Sequence, residues 1–382
     1  MSAPGLARMT LHTIVVSPTT RWLFVVITQR DGRSGLGEAS LNGSEDAVRD
    51  AASRLAMQAL SASPGQPAAF AAGVAPSNLA ESAAVSAIDQ ALWDLHAQNA
   101  GMRLADAIGG ARRESIAIYA NINRRTRQRT PEGFAASARD ALAAGFAALK
   151  VAPFDEVDRA TCAAGRGVAA MQAGLARVAA VREAAGPHCR LMVDCHWRFD
   201  EATARALVAG AAKLGVHWVE CPLPETRDNI DALVRLRGEA NARGVLLAGL
   251  ELGIGADAFR PWCEAGAYDV VMPDVKYFGG LLAMQRCAHE LARYGVHVSP
   301  HNPTGPVCHA ASLHASAALD AFDMLEMQFD ESPLFERLVA GQLPARVDGH
   351  SPLPPGAGLG VTLDGAELDA HAGAPAMAWE AA

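Results

Sequence analysis

Between residues 115 and 330, short apolar runs return eight times, and that beat constrains the fold more than any other feature. The runs read IAIYANI (116–122), AALKVAPF (147–154), RLMVDCHW (190–197) and VHWVECPL (216–223), then VLLAGLE (245–251), VVMPDV (270–275), VHVSPHN (296–302) and MLEMQF (324–329). Between them lie Ala/Leu/Arg-rich stretches of helical character such as EATARALVAGAAKLG and LLAMQRCAHELARYG, and from the third run onward the period averages about 27 residues. Strand and helix alternating eight times predict an α/β fold of the (β/α)8 TIM-barrel type. An open doubly wound sheet competes with it. That fold usually has fewer units and a glycine-rich phosphate loop after its first strand, and neither GxGxxG nor GxxxxGK[ST] stands there.

The flanks have another texture. TRWLFVVITQRDGRSGLGEAS reads as a hairpin turning at Asp31-Gly32, and helical segments follow at 44–60 and 79–107. After the barrel, ARVDGHSPLPPGAGLGVTLDG is rich in turns, with strand-like fragments and no helical period. The expected organisation is an α+β capping domain over 1–112, a catalytic barrel over 113–330, and a segment over 331–382 that completes the cap. A chain of 382 residues has room for both parts.

A net charge of −8 argues against nucleic acid or an anionic membrane as partner, because both require concentrated positive charge. The one basic run, Arg124 to Arg129, is read either as a solvated loop or as a contact to an acidic substrate or neighbouring subunit. Seven cysteines without CxxC spacing, no export signal and no long apolar span predict a reducing, cytoplasmic setting.

Ionisable residues stand at the C-terminal ends of seven successive barrel strands, the rim where this architecture does its chemistry. Lys150 is on the second, Asp194 and His196 on the third, Glu220 on the fourth and Glu251 on the fifth. Asp274 follows on the sixth, His301 on the seventh and Glu326 on the eighth. Any single one is as well explained by a helix cap or salt bridge; seven in order are not. Asp194, Glu220 and Glu251 offer three hard oxygen donors without a nearby cysteine, which suits Mg²⁺ better than zinc. Asp274 on the strand next to His301 would fix the imidazole tautomer and make a general base. Strand alternation puts His196 on the same face as Asp194, across from that pair, so one imidazole can act as base and the other as acid. Removing a proton next to a carboxylate leaves an enediolate that needs a cation and ammonium groups, among them Lys150. Glu326 has two open roles: a protonated donor to a substrate oxygen, or an orienter of His301.

Taken in order, GLGEAS, SAIDQALWDLHAQNAGMRLADAIGG, LKVAPFD, VDCHWRF, VECPLPE, LAGLELG, PDVKYFGGL, SPHNPTGPV and PPGAGLGVTLD resemble the enolase superfamily. Within it they are most similar to the mandelate racemase-like acid-sugar dehydratases of galactonate type. The resemblance covers nearly the whole chain. It implies Asp194, Glu220 and Glu251 as Mg²⁺ ligands, His301 with Asp274 as base, and His196 as the acid that assists loss of the β-hydroxyl. The implied reaction turns an aldonate or related polyhydroxy acid into its 2-keto-3-deoxy form. The terminal regions would close over the substrate, with Ser17 to Trp22 as a lid, and a homo-oligomer is expected.

The chain departs from the pattern at two points. Racemases of the group carry Lys-x-Lys on the second strand, whereas Lys150-Val151-Ala152 lacks the second lysine, which favours dehydration. AGLELG also departs from the more common Gly-Glu order around the third ligand. Racemisation or epimerisation through the two histidines, and a non-catalytic carboxylate-binding relative, are the alternatives. Substrate contacts are expected from Asn121, Asn123, Arg198, Tyr277 and Asn302 at the rim.

Overall fold

The structure, a computed structural model, describes residues 4–381. Three strands open the chain: β1 (Leu6–Val15), β2 (Arg21–Gln29) and β3 (Ser34–Glu38). They form an antiparallel meander in which buried and partly exposed residues alternate along β1 as a half-covered sheet requires. Two long helices, Glu45–Leu60 and Leu79–Ala100, follow, with a short one over Ala68–Ala72 between them. Asn78 caps the second long helix by accepting from Glu81 N, and Gly101, at φ 67°, ends it in the left-handed conformation, so the helical segment expected over 79–107 breaks at 100 and resumes as a short helix over Leu104–Ala107.

The helix Leu79–Ala100 is buried nearly all round because it lies between the cap and the barrel. One side meets the cap sheet so closely that a Cβ on Gly37 would fall on the carbonyl of Ala87, and one on Gly35 on that of Ala91. Its polar side binds the barrel. Ser82 Oγ donates to Tyr277 O, and Gly279 N and Leu281 N donate to Ser86 Oγ and Asp89 Oδ2.

The barrel strands are β4 (Ser115–Asn121), β5 (Ala148–Val151), β6 (Arg190–Asp194), β7 (Trp218–Glu220), β8 (Leu246–Gly249), β9 (Val270–Val271), β10 (His297–Val298) and β11 (Leu325–Gln328). They are parallel in chain order, and the sheet curls until β11 pairs with β4. The seam between β10 and β11 is held by Val298 N to Ala321 O and Glu326 N to Pro300 O. Inside, Tyr119, Met192, Trp218, Met272 and Met324 plug the axis, with Tyr119 and Trp218 edge to face at 5.7 Å. The strands are shorter than the apolar runs because the runs continue into buried turns at the rim.

The C-terminal segment divides. β12 (His350–Pro352) adds antiparallel to β4 of the barrel, and β13 (Ala372–Glu380) adds to β1 as the outer strand of the cap sheet. A short helix, Gly365–Ala370, beginning where the turn-rich stretch ends, separates them, started by Asp364 accepting from Ala366 N and Glu367 N. Among the described residues, no helix is long and apolar enough to cross a membrane.

Candidate active site

Three adjacent strands deliver the carboxylates. Asp194 and Glu220 are register partners at the ends of β6 and β7, and Glu251 lies two residues beyond β8. Each offers an oxygen within 4.8 Å of the others, and all three residues are buried. The turns that follow are strained: Cys221 (φ 45°), Leu250 (φ 72°), His196 (φ 47°) and Trp197 (φ 57°) all adopt the left-handed region without being glycine. Such a conformation costs on the order of 1 kcal/mol per residue, and clustering beside one group of acids marks a functional rim.

His196 does come to lie beside Asp194 on the same cavity, but not by strand alternation. β6 ends at Asp194, so strand alternation no longer governs the next residues. The left-handed turn instead folds His196 back, with Nε2 3.0 Å from Asp194 Oδ2 and its N–H donating to Asp194 Oδ1. Its side chain is 45% exposed, facing the open mouth.

Charge in the cluster is unbalanced. Burial, with Asp194 and Glu326 adding to it and Lys150 opposing, pushes the Glu220 carboxyl up to about 8. Burial and the negative charges of Asp194 and Glu220 raise Glu251 well above the usual carboxylate range. Asp194 goes the other way: burial opposes ionisation, but His196 and Lys150 hold the group low. Glu251 Oε2 is buried without a hydrogen-bond partner. An orphan oxygen in a buried set of three carboxylates fits a hard divalent cation.

Lys150, fully buried on β5, places Nζ 2.5 Å from Glu220 Oε1, 3.0 Å from Glu326 Oε1 and 3.9 Å from Asp194 Oδ2. Glu326 Oε1 also accepts from Asn121 Nδ2, and its Oε2 accepts from Asn302 N. Burial favours its neutral form, yet Lys150 and His301 draw the carboxyl below its ordinary range. Both Glu326 oxygens accept hydrogen bonds, an arrangement that favours the orienting role over the protonated-donor role. Glu326 steadies the backbone next to His301 through Asn302.

On the opposite wall, His301 Nδ1 lies 2.7 Å from Asp274 Oδ2, and His301 Nε2 lies 3.7 Å from Glu251 Oε2. The sequence-based reading missed Lys276, whose ammonium is 3.1 Å from the same Asp274 oxygen. Its signal was the DVK spacing, two residues past the acid.

A cavity of about 290 Å³ joins these walls. Lys150, Asp194, His196, Tyr277 and His301 line it from the barrel, together with Asn121, Asn123, Arg124 and Gln328. Trp22, Ser40 and Asn42 reach it from the cap. Glu220, Glu251, Asp274 and Glu326 are not among its lining residues and support those that are. Two expected contacts are absent from the cavity. Arg198 Nη1 donates to the carbonyls of Phe154, Asp155 and Val157, tying down a loop, and Asn302 is buried against Glu326, His309 and Ser312. Asn123 Oδ1 accepts from Ala152 N, so the position without the second lysine is held by backbone instead. Most of the basic run is paired: Arg124 with Glu331, Arg125 with Asp140 and Asp330, Arg129 with Asp155. Of its arginines, Arg124 lines the cavity.

Residues 133–368 match the family described as enolase C-terminal domain-like, and residues 6–109 match the mandelate racemase / muconate lactonizing enzyme N-terminal domain. A D-gluconate dehydratase from Thermoproteus tenax is 30% identical over 76% of this chain, an alignment that spans only 56% of that protein. A D-galactarolactone cycloisomerase from Agrobacterium fabrum is 31% identical over 74% of this chain and 71% of its own. A D-galactonate dehydratase from Xanthomonas euvesicatoria is 26% identical over 90% and 89% of the two chains. Among solved structures, a mandelate racemase/muconate lactonizing enzyme-like protein from Rubrobacter xylanophilus superposes with a TM-score of 0.84 at 27% identity, over 97% of this chain and 98% of that one.

Proposed function

The chain belongs to the mandelate racemase / muconate lactonizing enzyme family of the enolase superfamily, and from that premise we propose that it is a Mg²⁺-dependent hydro-lyase acting on an acid sugar. The observation that carries this reading is the pair of imidazoles, His301 and His196, on one cavity whose second-strand position holds Ala152 in place of a second basic residue.

Asp194, Glu220 and Glu251 would hold the cation, which when bound supplies the positive charge that an enediolate requires. His301 Nε2 takes the proton α to the substrate carboxylate, while Asp274 accepts the Nδ1 hydrogen bond and stabilises the imidazolium. Lys150 places a fixed ammonium among the acids and limits their repulsion. As the enediolate collapses, the bond to the β-hydroxyl breaks, and His196 delivers a proton so that water leaves. The enol product then tautomerises to a 2-keto-3-deoxy acid. Ser40, Asn42, Asn121, Asn123, Arg124 and Gln328 give the cavity the donors and acceptors that a polyhydroxy chain needs.

A library of aldonates and aldarates incubated with Mg²⁺ and read with a keto-acid reagent tests the reading, and a positive is expected from at least one six-carbon acid. Because both imidazoles face the cavity, epimerisation is the second reading. Solvent deuterium at the α-carbon of recovered substrate, with no keto acid from any member, would establish it in place of dehydration.

A further inference from the structure

Lys276 is a buried cation with no task in the reaction outlined above. Its Nζ lies 3.1 Å from Asp274 Oδ2, the oxygen that is 2.7 Å from His301 Nδ1, and its backbone N–H donates to Asp274 Oδ1 at 2.7 Å. Asp274 is thus gripped at one oxygen by an ammonium and an imidazole together, and at the other by the backbone. The ammonium meets Asp274 as an ion pair without hydrogen-bond alignment, and it also sits 4.9 Å from the ring centroid of Tyr277, which lines the cavity. Glu38, the other carboxylate whose charge reaches it, is already committed to Ser40 Oγ, Thr304 Oγ1, Gly305 N and Cys308 N.

The chemistry at Asp274 has two outcomes. Burial favours a neutral carboxylic acid, which can donate its proton to His301 Nδ1 and leave the ring hydrogen on Nε2, where it blocks proton abstraction. A carboxylate is an acceptor only, so the shared hydrogen must belong to Nδ1 and the Nε2 lone pair is free. Lys276 supplies the charge that selects the second outcome; against the pull of burial, Asp274 is held below its ordinary range, with Lys276 the strongest opposing influence.

We propose that Lys276 is a positioning residue for the base: by keeping Asp274 an acceptor, it fixes His301 in the Nδ1–H tautomer with Nε2 open to the substrate. The proposal rests on the reading of His301 as base, but its main readout needs no turnover, so silence in the substrate library leaves it fully testable.

The experiment is nitrogen-15 NMR of the histidine rings in full-length protein saturated with Mg²⁺ at neutral pH. Wild-type His301 is expected as the Nδ1–H tautomer, Lys276→Met as Nε2–H or a mixture, and Lys276→Arg as Nδ1–H again. On a turned-over substrate, Lys276→Met is expected to lower kcat by about 10- to 100-fold with little change in KM, the usual size of an effect passed through an orienting partner. An unchanged tautomer and a wild-type kcat in Lys276→Met overturn the proposal. Should that variant not fold, the wild-type spectrum decides: an Nε2–H ring at His301 overturns the proposal, and an Nδ1–H ring beside a charged Lys276 supports it.

Discussion

His196 Nε2 stands 3.0 Å from Asp194 Oδ2 although the strand that carries Asp194 has already ended, and a left-handed turn makes the approach. In the proposed reaction this imidazole serves the second half, after His301 has acted. His196→Asn is therefore expected to lower keto-acid formation by roughly 10²- to 10⁴-fold, the range for loss of a general acid, while exchange of the α-proton with solvent deuterium continues. Loss of exchange and elimination in equal measure would show that His196 acts earlier.

Removal of divalent metal should abolish turnover and also change stability without reference to substrate. With three buried carboxylates and the orphan Glu251 Oε2, the proposed site would bind Mg²⁺ in the native state and not in the unfolded chain. Saturation at about 100 times Kd is expected to stabilise the fold by about 2.7 kcal/mol. Glu251→Gln should shrink the Mg²⁺-dependent rise in Tm; a full rise in that variant would remove Glu251 from the ligand set.

Arg198 gives the opposite prediction to the one its place at the rim suggested. Its guanidinium satisfies three carbonyls, so Arg198→Met should cost roughly 1–3 kcal/mol of unfolding free energy and leave KM within about twofold. Urea titration and steady-state kinetics on one preparation separate the two effects, and a large rise in KM at unchanged stability would return Arg198 to the substrate site.

The joint between cap and barrel is expected to be pH-sensitive through Asp89. Burial pushes this carboxyl up to about 7, with the hydrogen bond from Leu281 N opposing. Its folded value lies above its unfolded one, so between about pH 4 and pH 7 the native state holds more protons than the unfolded state and stability falls as pH rises. The slope from one such group reaches about 1.4 kcal/mol per pH unit at most. Asp89→Asn is expected to flatten the decline in urea midpoint between pH 5 and pH 7; an unaltered slope would assign it to other groups, such as Asp94, which burial raises to about 6.

By itself the sequence determined the eightfold strand and helix pattern, the hairpin at Asp31-Gly32 and the acids at successive strand ends, because periodicity and turn chemistry are local properties. It also placed Asp274 beside His301, since neighbouring parallel strands bring equivalent ends together. Tertiary structure decided what those side chains touch. Arg198 and Asn302 read as polar rim residues, yet partners on other elements turn them away from the cavity. Glu326 had two roles open, and only the fold shows that Lys150, Asn121 and Asn302 N converge on its oxygens from three other elements. Trp22, Ser40 and Asn42 enter the site only because Gly35 and Gly37 let the cap sheet press against the helix Leu79–Ala100, which in turn grips the loop after β9. The physical reason is that charge state and exposure depend on everything within a few ångströms, and those neighbours are brought together by the closed barrel and its cap rather than by sequence spacing.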